Sequence, residues 1–464
     1  MIEADIDQGR VFNDLKRFQH AKHVLSLQFV TTNRILADMV HGTSGTSSGS
    51  VASELWMGFM LGIRELSHRD LLSLDLKNWA VATTVDKTEK MTKALASCHS
   101  LTYLNLGANA LGARATSSLE GLAKVLGNCA QTLQHLDLSE NQLGSEGARA
   151  LASALGQCSS LEVLNLNSNQ ICADGVGCLS SLGHNTVLQG LFLASNNLCE
   201  AGTGMLRGVL QSSLTHLDLA GNAMGPEGAG KLSWVREQCA GLKILNLAHN
   251  QVGWKGAGML AWTVGECHAL ERLNVRLNDM GAWGASGLCG GLRRCSSLLH
   301  LDLWGNSIGN EGVACVARLL PGLPRLSHLN LGDNKIFFSG AEMLAQVLDT
   351  CPSLVYLNLQ CNMIGDVGVG HLAAALQKGE IRFLNLGWNI IGRGGALQLA
   401  RAVAQCSKLE ALILEGNAID EEGASEILAE AEASLREACA EAGASARGRV
   451  LSLNAEVRVH AESD

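Results

Sequence analysis

Thirteen six-residue segments of this chain share the pattern L-x-x-L-x-L. They begin at Leu71, Leu101, Leu133, Leu161, Leu188, Leu214, Leu242, Leu270, Leu298, Leu326, Leu354, Ile381 and Leu409, with Ile381 and Val275 standing in for leucine. Seven of the twelve spacings between them are 28 residues. A fixed period of this size is the mark of an array of stacked units. It displaces the two to four compact domains that 464 residues would otherwise suggest.

Each unit can be read locally. The L-x-L alternation is a short strand with one buried face. Eight residues after each start stands Asn in twelve of the thirteen segments, from Asn109 to Asn417, with Trp79 the exception. An amide both donates and accepts, so it can satisfy backbone groups of the bend that no ladder reaches. Fourteen residues after the start a glycine recurs, from Gly147 to Gly423, and it is expected to mark a tight turn into a helix. In the unit from Leu133, Ala148, Leu151, Leu155 and Cys158 then follow at spacings of three and four, one apolar stripe of a helix about three turns long.

A strand, a bend and a helix of this kind cannot hide their own apolar faces, so units must stack. The expected fold is an α/β solenoid, a horseshoe with a parallel β-sheet on the concave side and helices on the convex side. At ~4.8 Å per strand its inner sheet would run on the order of 60 Å. Residues 71–423 hold the thirteen repeats. Residues 1–70 are expected to form an N-terminal cap, with a capping helix around Val11 to Phe18, a worn repeat strand in VLSLQF and a flexible loop at 41–50. Residues 424–464 are expected to be a C-terminal capping helix, strand and tail, because terminal repeats need a polar outer face.

The pattern LxxLxLxxNxIGxEGAxxLAxxLxxC resembles the ribonuclease-inhibitor class of leucine-rich repeats, found also in the Ran GTPase-activating protein and in NOD-like receptors. The resemblance spans residues 71–423 and implies a eukaryotic, mostly cytosolic protein-binding solenoid. It also implies two alternatives to a plain scaffold: a GTPase-activating protein for a Ran-like small GTPase, or the sensor part of a NOD-like receptor system.

Composition narrows the partner. A net charge of −9 and a pI near 5.9 argue against nucleic acid and anionic membrane, and favour a protein partner with a basic or neutral surface. No stretch of about 18 apolar residues suggests a membrane span, and MIEADIDQGR lacks the layout of a secretion signal. Of the fifteen cysteines, Cys98, Cys158, Cys239, Cys267, Cys295, Cys351 and Cys406 fill one repeat slot, with Cys129 one place away. They read as small buried hydrophobes in a reducing, cytoplasmic setting.

Function is sought on the concave columns of the repeat. Column five is almost all Asn or Asp and reads as structural. Column three carries Tyr103, His135, His216, Arg272, His300, His328, Tyr356 and Phe383, including both tyrosines of the chain. Arg276 and Trp304 in column seven, with Asp333 and Trp388 in column eight, extend it. Large amphipathic side chains there suit a partner-binding surface. His300 and His328 beside Asp302 and Asn330 would be the place for a metal or a catalytic pair, but register alone generates such pairs in a repeat, and no nucleophile stands opposite them. No cofactor is expected, and the chain reads as no enzyme. Concave acids outnumber bases ten to five, counting Asp75, Asp137, Glu140, Glu162, Asp218, Glu271, Asp302, Asp333, Glu410 and Glu415 against Lys77, Lys243, Arg272, Arg276 and Arg382.

One stretch imitates a nucleotide site. GPEGAGKL, residues 225–232, is one hydroxyl short of a phosphate loop. Leu232 stands where that hydroxyl would be and coincides with the first core leucine of the repeat helix, so no nucleotide is expected at Gly225 to Leu232.

Overall fold

The computed structural model describes residues 26–27, 71–78, 85–112, 116–209, 213–235, 240–406, 408–420, 422–427, 429–430 and 452–454. The expected N-terminal capping helix, the loop at 41–50, Trp79, Cys239 and most of the C-terminal segment lie outside these residues. Fifteen strands form one parallel sheet in chain order. They are β1 Ser26–Leu27, β2 Ser73–Asp75, β3 Tyr103–Asn105, β4 His135–Asp137, β5 Val163–Asn165, β6 Gly190–Phe192, β7 His216–Asp218, β8 Ile244–Asn246, β9 Arg272–Asn274, β10 His300–Asp302, β11 His328–Asn330, β12 Tyr356–Asn358, β13 Phe383–Asn385, β14 Ala411–Ile413 and β15 Ser452–Asn454. A helix follows each of β2 to β13, and neighbouring helices pack on one another along the other side. The chain is the α/β solenoid that its period requires.

Every described strand from β2 to β14 is positions three to five of its repeat, paired so that like columns adjoin, as in His300↔His328 and Tyr356↔Phe383. The leucines at positions one, four and six are buried, and so are Ala148, Leu151, Leu155 and Cys158 of the helix read above. Helix length varies between repeats. The repeat from Leu133 has a helix over Gly144–Gln157, whereas the 27-residue and 26-residue repeats that follow have Ala173–Cys178 and Cys199–Met205, each finished by a 3₁₀ turn.

The asparagines form a ladder along the bends. Asn278 Nδ2 donates to the carbonyls of Leu247, Val275 and Arg276 at 2.8, 3.0 and 3.1 Å, and its Oδ1 accepts the N–H groups of Asn250 and Val252 at 3.0 and 3.3 Å. Each amide thus satisfies its own repeat and the one before it. The residue preceding each of these asparagines is left-handed, whether glycine or not, from Ala108 at φ 56° to Gly416 at φ 72°.

The recurrent glycine fourteen residues from the start does a different job from the one its position suggested. It lies inside the first helical turn with ordinary φ, and a Cβ there would strike the neighbouring repeat. On Gly256 it would fall 2.8 Å from Val252 Cγ1 and 2.9 Å from Pro226 Cα. The left-handed turn into the helix is made three residues earlier, at Gly144, Gly225, Gly253, Gly281, Gly309 and Gly365.

The cysteine slot is buried and hydrogen-bonded. Cys158 Sγ donates to the Ala154 carbonyl at 3.3 Å, Cys267 Sγ to Thr263 at 3.3 Å and Cys295 Sγ to Val264 at 3.2 Å. Burial pushes the Cys158 and Cys267 thiols up to about 12 and Cys295 to about 11, which keeps them protonated. A thiol reagent added to native protein at pH 8 should therefore titrate the exposed Cys199 and Cys361 at once and reach Cys158, Cys267 and Cys295 only after urea is added. Rapid modification of Cys158 or Cys267 would contradict this packing.

In GPEGAGKL, Gly225–Lys231 is the repeat helix and Leu232 is buried in the core. Lys231 Nζ is paired with Glu200 Oε1 of the preceding repeat at 2.7 Å.

Candidate functional site

Column five ends each strand. Its Oδ1 accepts the N–H two residues on: Asn105 from Gly107 at 2.9 Å, Asp218 from Ala220 at 3.0 Å, Asp302 from Trp304 at 2.9 Å, Asn385 from Gly387 at 2.9 Å. Where Phe192 breaks the column, Asn167 of the preceding repeat reaches across to the Ala194 N–H at 2.6 Å. The column is a row of turn caps, which is why short polar side chains fill it.

Column three is where the repeats differ. Tyr103 and His135 make one pair near the N-terminal end, with ring centres 6.3 Å apart. Burial, then Asp75 and Asp137, push the Tyr103 hydroxyl up to about 12, and burial lowers His135, whose Nδ1 is buried without a partner. His216 stands apart on β7, lowered by burial first and by Lys243 next. Arg272, His300, His328, Tyr356 and Phe383 come together on the consecutive strands β9 to β13. His300 stacks on His328 at 4.1 Å and His328 on Tyr356 at 5.4 Å. Ser327 Oγ lies 3.0 Å from the Leu299 carbonyl and 2.8 Å from His328 Nδ1, which holds the ring in place.

Stacking half-buries most of this column. Phe383, with Ala411 beyond it, keeps 41% of its surface exposed. Next to it Trp388, in column eight, is 46% exposed at φ 58°, and a Cβ on Gly416 would fall 2.4 Å from its ring. The indole therefore rests on the Gly416 backbone. Trp304 in column seven rests likewise on Gly332, with the Arg276 guanidinium 5.9 Å from its ring centre. Asp333 lies one repeat further on.

The column reading missed the rim beside Trp388. Ile390 is 65% exposed and left-handed at φ 59°, an unfavourable conformation for a β-branched residue. Met363 occupies the same slot one repeat earlier and pairs with Phe337, itself exposed. Elsewhere that slot holds small or polar residues such as Gln142, Gln170, Gln251 and Asp279, and this contrast is the signal by which the rim could have been found. Other exposed apolar side chains, Trp262 at 75% and Trp283 at 80%, stand on the helix side.

The ten-to-five count of concave charges overstates the acidic field. Asp75, Asp137, Asp218 and Asp302 serve as caps. Glu140, Glu271 and Glu410 pair with Lys77, Lys243 and Arg382 at 3.8, 3.4 and 3.2 Å. The rest of the count is Glu162 and Glu415 toward the two ends, Arg272 and Arg276 near the middle, and Asp333 two repeats on from them.

Comparison with known proteins fits this geometry. Residues 129–152, 157–180, 211–233, 238–261, 266–289, 294–317, 350–373 and 405–428 match the leucine-rich repeat family model. The chain therefore carries leucine-rich repeats, and proteins built on them generally mediate protein–protein interaction. No curated protein matches the sequence. Among solved structures, a leucine-rich-repeat protein of Leptospira interrogans is 20% identical over 77% of this chain and 93% of its own, with a TM-score of 0.42. An internalin from Listeria monocytogenes is 20% identical over 68% and 87%, with a TM-score of 0.44. A TDR receptor is 19% identical over 77% and 62%, with a TM-score of 0.40. Among the described residues no helix is long and apolar enough to cross a membrane.

Proposed function

We propose that this chain is a non-catalytic scaffold of the ribonuclease-inhibitor class that holds a protein partner against its concave face, in the cytoplasm of a eukaryotic cell. The observation that carries the reading is the ring stack His300–His328–Tyr356 at 4.1 and 5.4 Å, running into the exposed Phe383 and Trp388. Stacked rings on a sheet are fixed before binding, so ordering them costs the complex little. Aromatic anchors of this kind dominate protein interfaces. Glu162, Asp333 and Glu415 favour a partner with a basic or neutral surface, an effect on encounter more than on affinity. Recovering the partner by cross-linking from the native cell, and testing it against a variant with Tyr356, Phe383 and Trp388 all changed to Ala, decides the reading. Binding should be lost, and full retention removes this surface.

A further inference from the structure

The helix side carries a cluster of exposed apolar side chains on two neighbouring helices. Trp254, Met259 and Trp262 stand exposed on Gly253–Val264, and Trp283 on Gly281–Leu292. The slot of Trp283 holds Glu146, Glu227 and Glu311 in other repeats, so an indole replaces the acids that keep this side wet elsewhere. The two helices pack nearly backbone to backbone: a Cβ on Gly287 would fall 3.2 Å from Gly258 Cα, and one on Gly291 would fall 2.1 Å from the Ala261 carbonyl oxygen. Gly258 and Gly290 answer to no such contact. A Cβ on either would meet nothing in this chain, although glycine inside a helix is destabilising relative to alanine. The helix Gly281–Leu292 contains no charged residue, and charge stands only at its ends. Asp279, exposed, precedes it, and Arg293 and Arg294, exposed, follow it, with Arg294 bonded to Glu266 of the preceding repeat at 2.8 Å.

Exposed apolar clusters of this kind mark contact surfaces, and this one is complementary to itself. A two-fold contact requires that where one residue meets a second, the second meets the first on the other side. Two copies of Gly281–Leu292 laid antiparallel about an axis between Ser286 and Gly287 set Trp283 against the second copy's Gly290, and Asp279 against its Arg293 and Arg294. The period of the repeat carries the same axis to Gly258 on the neighbouring helix, where it sets Trp254 against the second copy's Trp262. Aromatic side chains then fall on glycine or on one another, and each acidic end falls on a basic one. We propose that these two helices are the contact between two copies of this chain, paired antiparallel, helix side to helix side. Such pairing leaves both concave faces open, so the inference stands apart from the reading of that surface, and the pair would offer it twice.

Sedimentation velocity of the full chain, from about 1 to about 200 µM, should show its mass moving with concentration from 48.9 kDa toward twice that value. Trp262→Ala with Trp283→Ala should weaken self-association by at least about thirtyfold, because aromatic anchors dominate such contacts. At a concentration where both chains are monomers, that variant should melt within about two degrees of the parent, since both side chains are exposed. Charge tests the register. Asp279→Arg in one chain, and Arg293→Glu with Arg294→Glu in another, should each bring like charges together and weaken self-association by at least about tenfold. An equimolar mixture of these two variants should pair again, because each end then meets the opposite charge. A chain that stays at 48.9 kDa at the highest concentration overturns the proposal, as does self-association that the tryptophan variant leaves untouched. A mixture that pairs no better than either charge variant alone overturns the antiparallel arrangement. Flotation of a monomeric chain with phosphatidylcholine–phosphatidylserine vesicles, lost in the tryptophan variant, would give this face to a lipid surface and overturn the pairing.

Discussion

Asn278→Ala should remove about 3 to 5 kcal/mol of stability, a large loss for one residue of a bend. The side chain satisfies three carbonyls and two N–H groups from two successive repeats, all in a bend that water does not reach. Deleting it leaves the Asn250 and Val252 N–H groups without partners, while the Leu247, Val275 and Arg276 carbonyls keep one bond each, from Asn250 Nδ2, Asn306 Nδ2 and the His249 N–H. Each buried unpaired group costs about 1 to 3 kcal/mol, and entry of water into the vacated space offsets part of the sum. Asn278→Asp keeps the shape but turns the donor into an acceptor facing three carbonyls, so at pH 7 it should be at least as damaging as Ala. At the edge of the array Asn417 likewise accepts the Asn389 and Ile391 N–H groups, at 2.8 and 3.0 Å, but the residue is partly exposed and water can take its place, so Asn417→Ala should cost clearly less. Urea unfolding followed by hydrogen exchange reads the difference, since repeat arrays unfold in segments and a single midpoint can mislead. Equal losses at Asn278 and Asn417 would contradict the ladder as the support of the bends.

Changing Tyr356, Phe383 and Trp388 together to Ala should weaken partner binding by at least about a hundredfold. Buried aromatic anchors each contribute about 2 kcal/mol or more on truncation, and neighbours on adjacent strands share part of that, so roughly 3 kcal/mol is a conservative total. The variant should remain folded. Leu357 and Leu384, buried beneath the surface, are untouched, and the three side chains face outward from the sheet. Unchanged melting with undiminished affinity would show that the partner sits elsewhere.

The solenoid was legible because its signal repeats thirteen times, and each copy of L-x-x-L-x-L and its asparagine constrains the others. The glycine fourteen residues in was legible as a constraint, but its cause was not. A glycine can be required by φ or by a close neighbour, and one dimension of sequence does not separate the two. Column five was read correctly as structural, and its chemistry, a cap on the next-but-one N–H, is local enough to follow from Asn and Asp alone. Tyr356 and Phe383 stood out by contrast within a column. Ile390 and Met363 were missed because the rim slot was not compared across repeats. The charge count failed because partners come from neighbouring repeats and bends: it could not see that four of the acids are turn caps and three are paired.

The account rests on a partner lying against the strands and not against the helices. Hydroxyl-radical footprinting of the chain with and without its recovered partner tests this within one molecule, because exposed aromatics stand on both sides. Oxidation of Phe383 and Trp388 should fall sharply in the complex, while Trp262 and Trp283 on the helix side should react as they do in the free chain. Protection of Trp262 and Trp283, with Phe383 and Trp388 still oxidised, would contradict it.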